Sequence, residues 1–113
     1  MKAGRLRTIV SLEQRVETTQ NEFGEIEPTW SRMYYRHATV APLSGREYIQ
    51  AQAVNAEVTH QVTLRADTET LELTPKWRIG IEGTDRVFEV LAVRNINERS
   101  RELVVMAKEV IGG

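Results

Sequence analysis

The 113-residue chain contains no cysteine. That removes disulfides, thiolate metal sites and a cysteine nucleophile together, and it fits a reducing compartment. Excess charge is absent too: the formal net charge is -1, so no sequence-independent grip on nucleic acid is implied. No stretch approaches the roughly 20 apolar residues of a membrane-spanning helix, and no membrane contact is expected. The opening "MKAGRLRTIV" has basic residues but no apolar run suited to a signal peptide, so the expectation is a protein made in the cytosol. The seven glycines are scattered and build no phosphate-cradling loop; "GIEG" at 80–83 is a strand ending in a turn. No serine sits in a G-x-S-x-G elbow.

What is present is ordinary for one soluble domain. Hydrophobic residues make up 41% and charged residues 27%, and a chain of this length suits a single domain over 1–113 with one modest core. "RTIVSLEQRVE" (7–17) nearly alternates; Val10, Leu12 and Val16 are assigned to a core, and Ser11, Glu13 and Arg15 to water. "TTQNEFGEIEPT" (18–29) is polar and carries Gly24 and Pro28, so it reads as a long turn or exposed hairpin tip, with Phe23 tucking back. "WSRMYYRHATV" (30–40) is a second strand. The strictest alternation lies in "AEVTHQVTLR" (56–65), where Val58, His60, Val62 and Leu64 share one face.

After a polar loop over 66–76, "KWRIGIE" and "RVFEVLAVRNI" read as strands joined at "GTD", and "ELVVMAKEV" as the last. The expected fold is mainly β: a small antiparallel barrel of about six strands, with one short α-helix between the second and third.

That helix starts in "APLSGREYIQAQ" (41–52). Pro42 keeps it from starting earlier, Ser44 is a good N-cap, and Glu47 three residues on completes an S-x-x-E capping box. Ile49 and Ala53 lie one turn apart and give a narrow apolar face beside Tyr48. A helix of about three turns is marginal alone, so it requires a docking surface on the barrel or on a neighbouring subunit.

No constellation for catalysis emerges. His60, in register with Val58 and Val62, reads as a hydrogen-bonded core histidine, and His37, beside Arg36, as a surface residue. "ADTETLE" offers Asp67, Glu69 and Glu72 but lacks the glycine and ligand series of a calcium loop; it is a solvated acidic loop. No catalytic residue, metal or cofactor is expected. "WSRMYYRH" interleaves Trp30, Arg32, Tyr34, Tyr35 and Arg36, which suggests the alternative of an OB-like module that binds single-stranded nucleic acid. The balanced total charge favours core or interface roles for these aromatics instead.

Four segments in order, "MKAGRLRTIVSLEQ", "PLSGRE", "EVTHQVTLR" and "RVFEVLAVRNINERSRELVVMAKE", resemble the phage head–tail joining family, the head–tail adaptor, head-completion or stopper proteins of siphophage-like phages and prophages. The resemblance implies a non-enzymatic virion subunit, assembled in the host cytoplasm and resident at the head–tail interface. It further implies self-association into a ring below the portal, with portal or adaptor ring proteins and tail proteins as partners and DNA only as cargo passing through the channel. Related stoppers place the segment between the second and third strands on the channel side; Pro42, Leu43, Ser44, Gly45, Arg46, Glu47, Tyr48 and Ile49 are the corresponding residues here.

A ring needs two different complementary faces on each subunit. The long loops at 18–29 and 66–76 are candidates, as long loops in compact domains are usually functional or disordered. Basic Arg5 and Arg7, the lone Phe23, and acidic Glu69 and Glu72 are candidate contacts to a neighbouring copy or partner.

Overall fold

The computed structural model describes residues 8–20, 22–24, 26–54, 57–95 and 101–110. The alternating segments form strands β1 (Thr8–Gln20), β2 (Ile26–Pro42), β3 (His60–Arg65), β4 (Trp77–Ile81), β5 (Val87–Asn95) and β6 (Glu102–Val110), with helix α1 (Gly45–Val54) between β2 and β3. The strands close into an antiparallel barrel in the order β1-β2-β3-β6-β5-β4. Closure comes from the pairing of β4 back onto β1, from Val10 opposite Ile81 to Gln14 opposite Trp77, which leaves that part of β1 without an open edge. The expected mainly-β barrel with one helix is the fold observed.

The interior follows from period-two patterning. Val10 and Leu12, Val62 and Leu64, Ile79, Phe88 and Val90, and Leu103, Val105 and Ala107 all point inward and are essentially inaccessible. Burying each larger aliphatic or aromatic side chain is worth about 1.5–3 kcal/mol relative to exposure. A satellite cluster lies outside this core, where Leu43 and Val58 pack against Leu91 and Met106. Leu91 is the extra residue at a bulge, where Val90 faces Ala107 and Ala92 faces Met106.

The ends of several elements differ from the sequence expectations. Of the two readings of 18–29 the hairpin tip holds and the long loop does not: β1 and β2 run on as a two-stranded ribbon to Gln20 opposite Ile26, and the described turn residues are 22–24, with Gly24 at φ 82°. Polar residues suffice there because the ribbon strands satisfy one another's backbone groups. Pro28 falls at a register shift, between Val16 opposite Thr29 and Thr19 opposite Glu27, where a residue without an N–H costs least. The ribbon helps to draw the molecule out to 48 × 29 × 28 Å. Phe23, on the turn, is 79% exposed rather than tucked back. The third strand begins only at His60, although Val58 is buried.

Candidate functional site

The segment between β2 and β3 leaves the barrel at Pro42 and returns at His60. Two backbone bonds hold its ends: the Leu43 amide donates to Thr59 O (3.1 Å) and the Thr59 amide to Ala107 O (2.9 Å). Gly45 takes φ 59°, which glycine adopts without steric cost, and the first helical bond runs from the Tyr48 amide to Ser44 O (3.4 Å). The Glu47 side chain of the expected capping box lies outside the described residues. Among the described residues α1 makes few contacts with the strands; Gln52 Nε2 donates to Val58 O at 2.8 Å. Ile49 is 70% and Tyr48 44% exposed, so their apolar surface faces away from the barrel.

The opposite wall carries an ordered outer face that the sequence pattern did not disclose. Directly paired residues on antiparallel strands share a face, and here three rows cross β4, β1 and β2. Arg78, Glu13 and Arg32 form one, Gly80, Ser11 and Tyr35 the next, and Ile9 and His37 the last, beside Glu82, whose amide donates to Ile9 O (3.0 Å). Ser11 and Glu13, assigned to water from alternation, are buried. Glu13 is covered by its neighbours: Arg78 Nε donates to Oε1 at 2.6 Å, Ser11 Oγ to Oε2 at 2.7 Å, and Arg32 Nε stands 3.6 Å from Oε2. The Arg78 guanidinium also lies 4.5 Å above the Trp30 ring.

Gly80 makes this burial possible, because a Cβ there would stand 2.8 Å from Ser11 Oγ and 2.9 Å from Glu13 Oε2. The face opens into a shallow 390 Å³ groove bounded by the turn Glu82–Arg86.

The loop over 66–76 is drawn onto β2. Arg36 Nε donates to Asp67 Oδ2 (3.1 Å) and Arg36 Nη2 bonds Glu69. The Tyr34 hydroxyl reaches both Glu72 oxygens at 3.3 Å, and its ring stacks on Trp77, 6.1 Å between centroids. Burial pushes the Asp67 carboxyl up, but donors from the Thr70 amide, Arg36 and the Glu69 amide outweigh it and hold the group below its ordinary value. Burial, then the charges of Glu72 and Glu69, push the Tyr34 phenol up. Thr70, fully buried, ties the loop together by donating to Arg65 O (3.0 Å) and accepting the Asp67 amide (2.8 Å).

At the far end of β3, His60 meets Phe88 edge-on (4.9 Å), its Nδ1 lies 2.9 Å from Thr59 Oγ1, and its Nε2 lies 3.9 Å from Glu109. Burial depresses its pKa more than the Glu109 charge restores it, and Arg86 adds to the depression. Glu109 is held low by the two-pronged Arg86 contact (2.8 and 3.3 Å).

The candidate contact residues are therefore dispersed. Arg5 and Arg7 lie outside the described residues. Phe23 is on the ribbon turn, Glu69 and Glu72 are engaged within the chain, and 42–49 stand on the wall across from Glu13. The aromatic strand does not offer a bare stacking platform: Trp30, Tyr34 and Arg36 are each occupied by a partner, and only Arg32, Met33 and Tyr35 among the apolar and basic residues of 30–36 are broadly exposed. Among the described residues no group of three or more acidic or histidine side chains is placed to hold a metal, and no helix is long and apolar enough to cross a membrane.

Comparison with known proteins gives one family match, to a phage head completion protein family over residues 1–110. Among solved structures, protein SF1141 from Shigella flexneri 2a is similar over the whole of both chains, with 22% identity and a TM-score of 0.73. A chain in the virion of the native gene transfer agent particle is similar over 93% of this chain and 97% of its own, with 22% identity and a TM-score of 0.57. At these identities the two likenesses concern the fold. No curated protein matches.

Proposed function

Because the chain belongs to the phage head completion protein family, and so has a structural, head-completing role in the virion, we propose that it acts as a head–tail connector subunit. Copies assemble in the host cytoplasm as a ring below the portal, extend the DNA channel, retain packaged DNA and dock the tail. The observation that carries this reading is the family match across nearly the entire chain. The fold is compatible with it in two respects. The closed barrel has a ribbon projecting at one end, and α1 presents the exposed side chains of Tyr48 and Ile49 away from the strands.

A DNA conduit needs no basic lining, since a near-neutral surface lets a polyanion pass without sticking; the net charge of -1 suits that passage and does not suit a specific DNA reader.

The chemistry of α1 sharpens the proposal. Ile49 and Tyr48 are too exposed to stabilise the barrel much, so their role is contact. In particles made from a variant with Ile49→Asp and Tyr48→Asp, head completion should fail while the purified variant melts near the wild-type temperature. A matching loss of thermal stability would make α1 part of the core and remove this support. Purified wild-type chain should co-sediment with rings of its cognate portal or adaptor; failure to associate with either counts against the connector role.

A further inference from the structure

Two exposed apolar surfaces lie on opposite walls of the barrel and differ in shape. One is the ridge of α1, where Ile49 is 70% and Tyr48 44% exposed. The other is the sheet face of β1 and β2, where Ile9 is 45% and Tyr35 50% exposed beside the buried Ser11 and Gly80. Their opposition follows from strand order. The base of α1 packs through Leu43 and Val58 on Leu91 of β5 and Met106 of β6, and β3-β6-β5 is the half of the barrel facing away from β4-β1-β2. We propose that α1 of one copy docks on the β4–β1–β2 face of the next copy, with Ile49 against the exposed Ile9 and Tyr35 and Arg46 at the acidic turn that bounds the groove.

Charge and shape select a second copy as the occupant. Arg46, at the start of α1, is exposed and makes no ion pair among the described residues. The turn bounding the groove presents Asp85, likewise exposed and without an ion pair among them, and Glu82, which meets Arg32 only at 3.8 Å. Among the described side chains, α1 thus offers a cation without an ion pair in Arg46, and the groove rim an anion without one in Asp85. Because the two patches are different, each contact leaves one of each kind free at the ends, and repetition propagates head to tail until it closes. A two-fold dimer would have to seat both contacts between the same two copies, which patches on opposite walls do not allow.

This inference rests on the ring assembly proposed above, and the chain's lack of cysteine permits a test that separates the two. Ile49→Cys and Tyr35→Cys are introduced singly and together in the full chain, and treated with a short bismaleimide at concentrations raised to the solubility limit. Thermal melting verifies the fold of each variant, with Ile9→Cys replacing Tyr35→Cys if the latter is unfolded. The expected result is a covalent dimer in the mixture of single variants, little product from either alone, and a ladder of oligomers from the double variant. Arg46→Asp should reduce the mixed dimer at least several-fold, and Asp85→Arg on the other partner should restore it.

Strong product from either single variant alone, or charge reversal without effect, overturns the contact. Rings seen by electron microscopy without the mixed product remove this contact and leave the ring standing; neither rings nor product removes both.

Discussion

Gly80 offers the sharpest test of the buried outer face, because two physical effects there oppose each other. Replacing a strand-interior glycine by alanine normally gains about 0.5–1 kcal/mol from reduced chain entropy. At Gly80 the new Cβ would stand 2.8 Å from Ser11 Oγ and 2.9 Å from Glu13 Oε2, closer than carbon and oxygen pack. Ser11 must rotate away, breaking its 2.7 Å bond to Glu13, and the carboxylate cannot retreat freely because Arg78 grips its other oxygen at 2.6 Å. A hydrogen bond to a charged group is worth about 1.5–3 kcal/mol. The steric loss therefore wins, and Gly80→Ala should be net destabilising by about 1–2 kcal/mol.

Urea unfolding at 25 °C measures it: the midpoint should fall with the slope unchanged, as for a loss of stability without a change in exposed surface. In a Ser11→Ala background the same substitution should cost less, since the nearer of the two clashes is gone. A neutral or raised midpoint for Gly80→Ala in the wild-type background would refute the account of how Glu13 is buried.

Three further outcomes follow from the same contacts. Arg78→Ala leaves the Glu13 carboxylate, 5% exposed, with only Ser11 and the more distant Arg32; the cost should be about 3 kcal/mol, at the lower end for a broken buried pair, read by the same unfolding curves. Asp67 has a folded pKa below its unfolded value, so its stabilisation is present above that unfolded value and is lost as pH falls through the folded one; stability measured below about pH 4 should fall less steeply in Asp67→Asn. His60 also has a depressed pKa, from the ordinary 6.5. The folded state thus resists its protonation, stability declines as pH drops below 6.5 toward the folded value, and His60→Gln should flatten that part of the pH profile.

The barrel was legible because its inward residues obey period two: Val62 and Leu64 on β3 and Ile79 on β4 are buried as the alternation requires. His60 was legible for the same reason, being in register with them. Alternation fails at Ser11 and Glu13, since it separates faces but cannot say whether an outer face is covered. Their burial depends on Arg78, Arg32 and Gly80, which lie 65 or more residues away or across a bulge at Met33. The only local signal is a glycine inside a strand pattern, which marks a close approach but does not name what approaches.

The segment 18–29 was legible as a hairpin tip, but its composition overstated the length of the turn. Gly24 and Pro28 are turn residues, yet one occupies the true turn and the other a register shift within a ribbon. The acidic loop read as solvated, but Arg36 and Tyr34 are engaged with it, a pairing set by tertiary position.

As proposed above, this chain completes the phage head and joins it to the tail. Deleting its gene from the phage or prophage that carries it, supplying the chain from a plasmid as control, and viewing the lysate by electron microscopy tests this most directly. The account predicts heads that are filled or have lost their DNA, separate tails, and restoration of joined particles by the plasmid. Infectious, DNA-filled, tail-joined particles in the absence of the chain would contradict it.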